Sequence, residues 1–152
     1  MKIKIELDSD LTEDEVIIRC SKVDTSIQKI QTAILDISMQ NKQMIFLKDG
    51  KEYYFPIEEV LFFETNNMRI DSHTKNDVFQ VKYKLYELEN VLPSNFVRVS
   101  KSTILNVNKI HSIDRNIVSS SLVQFYNTHK QVYVSRYYYK QLREQLERRR
   151  EV

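Results

Sequence analysis

From Met44 to Val134 the chain is a succession of short apolar runs separated by polar breaks, and this pattern constrains the fold more than any other feature. Such runs predict short β-strands that bury one or both faces. The pair Asp49-Gly50 follows the first run and favours a tight hairpin turn. The strands are expected at Met44–Leu47, Glu52–Phe55, Leu61–Glu64, Arg69–His73, Val78–Val81, Phe96–Val99, Ile104–Asn106, Ile110–Ile113, Asn116–Tyr126 and Lys130–Val134.

Two helices are expected within this body. Leucines at Leu85, Leu88 and Leu92 have helical spacing, and Pro93 ends that segment. Ser135 is expected to cap a final helix, on which Tyr139, Leu142 and Leu146 share a face. The sequence therefore predicts a mostly β, β-rich α+β fold with a small inner helix and a C-terminal helix.

The first 40 residues differ from this body. Lys2–Leu7 and Glu15–Cys20 alternate as strands do, with an acidic turn between them. A helix should follow, capped by Asp24 or Thr25, with an apolar stripe at Ile27, Ile30, Ile34 and Ile37. We therefore expect a small β-β-α unit over 1–40 and a second domain over 41–152. The small unit either packs on the body or serves regulation, dimerisation or partner binding.

The composition excludes several function classes. One glycine, Gly50, cannot build a glycine-rich phosphate-binding loop. The three histidines are widely separated, and Cys20 is the single cysteine, so no cofactor or metal is expected. His111 near Ser112 and Asp114 is the one candidate for catalysis, but adjacency along a strand does not make a triad. We expect neither an enzyme nor a small-molecule substrate.

Charge is unevenly distributed along the chain. Residues 1–40 hold five Lys/Arg against eight Asp/Glu, a net −3, whereas 41–152 hold eighteen against thirteen, a net +5. The segment Arg136–Arg150 alone carries a net +4. A basic body of this kind favours a polyanionic partner. The N-terminus lacks the apolar block of a secretory signal, and no apolar run is long enough to span a membrane, so a cytoplasmic location is expected.

A lysine stands at the tip of an expected turn. The polar break Ser100-Lys101-Ser102-Thr103 separates the apolar residues of Phe96–Val99 from Ile104-Leu105. Two buried strands that flank a short polar tip can present Lys101 outward. An ordinary hairpin would look the same, so this stretch alone does not decide its role.

The order of these segments resembles the LytTR family of bacterial DNA-binding domains, over about 44–146. Four pieces carry the resemblance, and they occur in the order and spacing of the family: Phe55–Glu64, Leu85–Glu89 with Phe96–Ser102, Ile104–Ile110, and Val132–Arg136 leading into a basic helix. The resemblance implies an elongated array of short antiparallel strands. It also implies a transcriptional regulator that places loop side chains in the major groove of double-stranded DNA, with two protomers on paired direct repeats.

The resemblance maps the DNA-contacting positions onto three places, which are the loop Thr65–Arg69, the loop Ser100–Ser102, and Ser135-Arg136 at the start of the last helix. The loop Thr65–Arg69 offers Asn67 or Arg69, and which of the two contacts bases stays open. The full expected set is Asn67, Arg69, Ser100, Lys101, Ser102, Arg136, Tyr137 and Lys140. Arg and Asn suit guanine and adenine edges, and Lys and Ser suit phosphates as well.

Many members of the family carry a receiver domain, and residues 1–40 are too few to form one. The resemblance therefore implies a stand-alone regulator, active as a homodimer on DNA and held in check by an inhibitory membrane protein that docks on the first 40 residues. The alternative is a protein-interaction module that does not bind DNA. The two differ in whether Arg69, Lys101 and Arg136 lie together.

Overall fold

The computed structural model describes residues 1–40, 43–115 and 120–150. Two single turns of 3-10 helix occur at Ile57–Glu59 and Val107–Lys109. The other elements are α1 Thr25–Gln40, β1 Phe46–Lys48, β2 Lys51–Tyr53, β3 Phe62–Asn66, β4 Arg69–His73, β5 Val78–Val81, α2 Leu85–Val91, β6 Phe96–Arg98, β7 Thr103–Asn106, β8 Ile110–Asp114, β9 Ser120–Phe125, β10 Gln131–Ser135 and α3 Arg136–Arg150. The prediction of a mostly β fold is confirmed. The start of the expected strand Asn116–Tyr126 lies outside the described residues.

The first sheet contains β2-β1-β5-β4-β3-β7-β6, in that order, and the second contains β10-β9-β8. All the strand pairs are antiparallel. Asp49 and Gly50 form the turn between β1 and β2, with φ values of 51° and 73°. Positive φ at both central residues is the geometry that matches the twist of a hairpin, so the Asp-Gly prediction is confirmed.

Neighbouring residues of β3 and β7 face two different cores. Phe62 and Leu105 pack with β9, β10 and Leu142 of α3. Phe63 and Ile104 pack on the opposite face with Leu85 and Leu88 of α2. Successive side chains of a strand point to opposite faces, so an unbroken apolar run buries both. The first sheet is therefore covered by the second sheet and α3 on one side and by α2 on the other.

One buried amide joins three segments of the body. Asn106 is fully buried, and its Nδ2 donates to the carbonyl of Val60 at 3.0 Å. Its Oδ1 accepts from Asn95 Nδ2 at 2.8 Å and from the Asn108 backbone N–H at 3.0 Å. A buried amide with satisfied partners fixes the relative positions of the chains that it joins. Asn106 thereby fixes the end of β7 against the residues that precede β3.

The prediction of two β-strands in the first 40 residues was wrong. Residues 1–40 contain α1 and no β-strand. The side chains of Ile3, Ile5 and Leu7 are 84–98% exposed. A strand needs a partner for its backbone groups, and among the described residues no strand pairs with this segment. The expected helix did form, and Asp24 caps it by accepting from the Ile27 N–H at 3.1 Å.

Helix α1 contacts the body through a carboxylate. Asp36 accepts hydrogen bonds from the backbone N–H of Ser94 at 2.9 Å and from its hydroxyl at 2.8 Å. Ser94 follows α2, so this pair ties α1 to the end of the inner helix. None of the helices in the described part of the chain has the length and apolar character needed to cross a membrane.

Candidate nucleic-acid interface

A backbone hydrogen bond joins the first two of the three predicted DNA-contacting loops. The N–H of Thr65, near the end of β3, donates to the carbonyl of Ser102 at 2.8 Å. Ser102 lies between β6 and β7, whereas Thr65 leads into the β3–β4 turn. Segments far apart in sequence are thus adjacent at one end of the first sheet, because β3 and β7 are paired neighbours there.

A second backbone hydrogen bond joins the third place to the end of the segment that leads into the second loop. The N–H of Ser135, the last residue of β10, donates to the carbonyl of Val99 at 2.9 Å. A groove of about 420 Å³ opens beside this contact. Its lining includes Glu64, Ser100, Ser102, Thr103 and Ser135. We call the residues grouped here, Asn66–Arg69, Ser100–Ser102 and Arg136–Lys140, the three-loop surface.

The first part of this surface is a tight turn at Asn67 and Met68, within the loop Thr65–Arg69 that the sequence predicted. Asn66 and Arg69 are paired residues of β3 and β4, and Asn67 has a φ of 56°. Asparagine tolerates this left-handed conformation better than most residues. The turn leaves Asn67 and Met68 exposed at its tip.

A buried carboxylate organises the two strand residues beside that turn. Asp71 accepts from Asn66 Nδ2 at 2.7 Å and lies 3.4 Å from Arg69 Nε. The side chain of Asp71 is 8% exposed, whereas that of Arg69 is 56% exposed. Asp71 therefore holds one side of the Arg69 guanidinium and leaves its other donors toward solvent.

The second part is braced from behind by an arginine. Arg98 Nε donates to the carbonyl of Ser100 at 2.7 Å, and Arg98 Nη2 donates to the carbonyl of Lys101. Arg98 Nη1 donates to Glu89 of α2 at 2.8 Å. The Ser100 hydroxyl also accepts from the Ser102 N–H at 3.2 Å. These contacts fix the loop backbone and leave the side chain of Lys101 exposed.

The third part is the first turn of α3. Arg136, Tyr137 and Lys140 are exposed there, with Tyr137 at 85%. Tyr138 and Tyr139 are only half-exposed, and Tyr139 packs on the core beside Leu142. Exposed N–H groups of a helix start add their own attraction for phosphate to the charge of Arg136.

The predicted cap of α3 was wrong. The hydroxyl of Ser135 is buried and has no hydrogen-bond partner among the described residues. Ser135 still belongs to β10, and its backbone pairs with Ser120 and Val99. Strand geometry therefore directs this side chain away from the first N–H groups of the helix.

An ionisable pair lies on β3 and β4 between the sheets. His73 Nε2 lies 2.8 Å from Glu64 Oε1, and the imidazole stacks on Phe62 with ring centroids 4.2 Å apart. Burial lowers the pKa of His73 below its usual value of 6.5, although the neighbouring Glu64 carboxylate raises it. Lys130, whose ammonium caps the carbonyls of Thr74 and Asp77, also lowers the His73 pKa.

The one candidate for catalysis that the sequence offered has other contacts. The Ser112 hydroxyl donates to Gln124 Oε1 at 3.4 Å, and the His111 ring lies edge-on to Tyr126 with centroids 4.6 Å apart. The pairing of β8 with β9 is irregular between Ile110 and Ser112, so His111 lies at a break in the register of the two strands.

Sequence reasoning missed Asn66, Asp71 and Arg98. Arg98 has the clearest signal, since it stands between apolar Val97 and Val99 immediately before the loop. Asp71 also interrupts a β-strand that is otherwise largely buried. A charge within a buried run usually has a specific partner.

Comparisons with known proteins converge on one family. The model of the LytTr DNA-binding domain matches residues 50–147. A protein of Staphylococcus aureus (strain NCTC 8325), described as an uncharacterized HTH-type transcriptional regulator, is 30% identical over 148 residues, which cover 96% of this chain and 98% of that protein. A counterpart in the bovine strain RF122 is 30% identical over 149 residues, with the same coverage of both chains.

A solved LytTr DNA-binding domain from Bacillus cereus has the same fold. It superposes with a TM-score of 0.63 and 30% identity, and it covers 70% of this chain and 98% of that domain. In the described part of this chain, strands separate each α-helix from the next. The candidate interface is accordingly built from loops and one helix start, not from two consecutive helices.

Proposed function

The chain belongs to the LytTr DNA-binding domain family, a family of DNA-binding regulators, and from that premise we propose that its three-loop surface contacts the bases of a specific DNA site in the major groove. The observation that carries this proposal is the pair of backbone hydrogen bonds, Thr65 to Ser102 and Ser135 to Val99. These two bonds bring the backbones of three segments that are far apart in sequence next to one another, and each segment carries or precedes one of the predicted residues Arg69, Lys101 and Arg136. A DNA-binding surface requires basic groups grouped in this way.

The exposed groups divide into two kinds of contact. Arg136 and the outward donors of Arg69 can pair with O6 and N7 of guanine, and Asn67 can pair with N6 and N7 of adenine. Phosphate oxygens are suitable partners for the other exposed groups, which are Lys101, Lys140, Tyr137 and the hydroxyls of Ser100 and Ser102. The braced backbone of the second loop keeps these groups in one orientation before DNA arrives, which lowers the entropic cost of binding.

The proposed regulator binds paired direct repeats as two protomers. Residues 41–152 form its DNA-binding domain, and residues 1–40 form a regulatory unit on which a membrane-protein inhibitor docks in the cytoplasm. The acidic balance of residues 1–40 supports this division, because that segment adds nothing to the attraction for DNA. A chain truncated to 41–152 should therefore still bind a half-site, and loss of folding on truncation would contradict the division.

A selection of bound fragments from random double-stranded DNA tests the proposed function. Enrichment of one repeated sequence is expected, followed by a gel shift with that sequence. The double variant Lys101→Ala/Arg136→Ala should lose most of the binding, whereas the double variant Lys51→Ala/Arg143→Ala removes the same charges at exposed positions outside the three-loop surface. Unchanged affinity in the first double variant would overturn the assignment. Recovery of no DNA sequence would favour the alternative, a protein-interaction module.

A further inference from the structure

The N-terminal segment Lys2–Asp8 exposes an apolar row that the single chain leaves uncovered. Ile3, Ile5 and Leu7 are 90%, 84% and 98% exposed, and they alternate with Lys2, Lys4, Glu6 and Asp8. In an extended chain the three aliphatic side chains would therefore lie on one face and the four charged ones on the other. An exposed segment of this kind is a template for pairing with another strand.

The charge order of the segment is complementary to itself. When two copies run antiparallel with Ile5 opposite Ile5, Lys4 lies opposite Glu6 and Lys2 lies opposite Asp8, in both directions. On the other face, Ile3 then lies opposite Leu7. Opposite charges and aliphatic pairs placed directly across a ladder stabilise it.

Other registers lose this complementarity. If the register is shifted so that the twofold axis passes through Lys4, Lys4 of one chain lies opposite Lys4 of the other. If the axis passes through Glu6, two Glu6 carboxylates lie opposite each other. A shift by a single residue places aliphatic side chains opposite charged ones, which mixes the two faces. One antiparallel register is thus selected, and its twofold axis passes through Ile5.

We propose that Lys2–Asp8 pairs with the same segment of a second copy of this chain and joins two protomers in the absence of DNA. The inference goes beyond the proposed function, because protomers on direct repeats follow one another head to tail along the DNA, whereas this contact joins two copies through a twofold axis without DNA. An antiparallel pair of identical strands is an isologous contact, which closes at two copies. Two strands alone are marginal in water. The exposed residues Val16 and Ile17 offer further apolar surface to the assembled pair.

Charge reversal tests the contact. Light scattering coupled to size exclusion at micromolar concentration should give a dimer for the full chain. Lys4→Glu or Glu6→Lys alone sets like charges opposite one another at two symmetric places, and each should raise the dimer dissociation constant by about tenfold. The double variant Lys4→Glu/Glu6→Lys restores both pairs and should restore the dimer. Lys22→Glu and Glu13→Lys are matched controls at exposed positions outside the segment.

Disulfide trapping tests the register. Opposed residues of an antiparallel pair have Cα atoms about 4.5–5.5 Å apart, within the range of a disulfide. Cys20, which is exposed, is first replaced by Ser. Ile5→Cys should then cross-link two chains on oxidation, whereas Leu7→Cys should not, because its opposite residue is Ile3.

A full chain that is monomeric in solution would overturn the inference. Failure of the variant Lys4→Glu/Glu6→Lys to restore the dimer would also overturn it, as would cross-linking through Leu7→Cys in place of Ile5→Cys. Gel shifts on the selected DNA keep the two proposals apart. If the chain is a monomer that binds DNA, the proposed function is supported and the dimer contact is contradicted. If the chain is a dimer that binds no DNA, the dimer contact is supported and the proposed function is contradicted.

Discussion

Arg98 donates a hydrogen bond from Nε to the carbonyl oxygen of Ser100 at 2.7 Å, so a strand residue holds the loop that follows it. The same guanidinium reaches the carbonyl of Lys101 and the carboxylate of Glu89. A planar guanidinium has donors along several edges, so it can bind these three acceptors at the same time, whereas the single ammonium of a lysine cannot. The loop that carries Lys101 is therefore held in place by a residue that does not itself belong to the three-loop surface.

Replacing Arg98 by Lys should weaken DNA binding by about 1–2 kcal/mol while the chain stays folded. The reason is that the loop loses its two carbonyl contacts and must be ordered when DNA binds. Gel-shift titration with circular dichroism as a check on folding measures both effects. Glu89→Gln removes only the ion pair and should have a smaller effect; equal losses in the two variants would mean that the ion pair, not the loop brace, matters.

Replacing Lys101 by Ala should weaken binding to all DNA sequences alike. If the ammonium contacts a phosphate, its loss should lower the slope of log affinity against log salt by about one. Titrations at several salt concentrations give that slope. Lys51→Ala, on β2, changes net charge equally and should leave the slope unchanged. A loss of affinity confined to one DNA sequence would instead assign Lys101 to a base.

Replacing Arg136 by Ala should cost about 1–3 kcal/mol at the preferred site and relax the specificity at one base position. A guanidinium that pairs with two atoms of guanine discriminates between bases, whereas an alanine cannot. Binding to a panel of single-base variants of the site shows which position changes. Arg143→Ala serves as the control, since Arg143 lies on the same helix and pairs with Glu147 at 3.0 Å.

Replacing Asn106 by Ala should lower the free energy of unfolding by about 2–4 kcal/mol. The substitution deletes four hydrogen bonds of the Asn106 side chain and leaves buried partners, the Val60 carbonyl among them, without their bond. Urea denaturation measures the change. Asn76→Ala, at an exposed loop position, should stay within about 0.5 kcal/mol of the parent protein. A similar small effect at Asn106 would show that water replaces its contacts.

Acidification should destabilise the protein through His73. Burial holds the pKa of the folded imidazole below 6.5, so the unfolded chain binds the proton more readily. Stability is therefore full above that value and falls as pH drops through 6.5 toward the folded pKa. His73→Gln should flatten the dependence of unfolding free energy on pH between about 7 and 5. An unchanged pH dependence in this variant would show that His73 does not cause the loss of stability.

Much of the body was predictable because its signals are local. The Asp-Gly turn, the strand Val78–Val81 and the leucine-rich helix before Pro93 each depend on neighbouring residues alone. The alternation that sends Phe62 and Phe63 to opposite cores is also a property of any extended chain. The family resemblance rests on the same local pieces in a fixed order.

Only the tertiary structure decided how those pieces meet. Strand order brings Thr65 to Ser102 and Ser135 to Val99, and it also recruits Arg98 and Asp71 as supports of the three-loop surface. The strands expected in the first 40 residues are absent from the single chain, although their alternation is clear. The physical reason is the same in both cases. Alternation depends only on a residue and its neighbours, whereas a strand also needs a partner for its backbone groups, and which segment supplies that partner is settled by the whole fold.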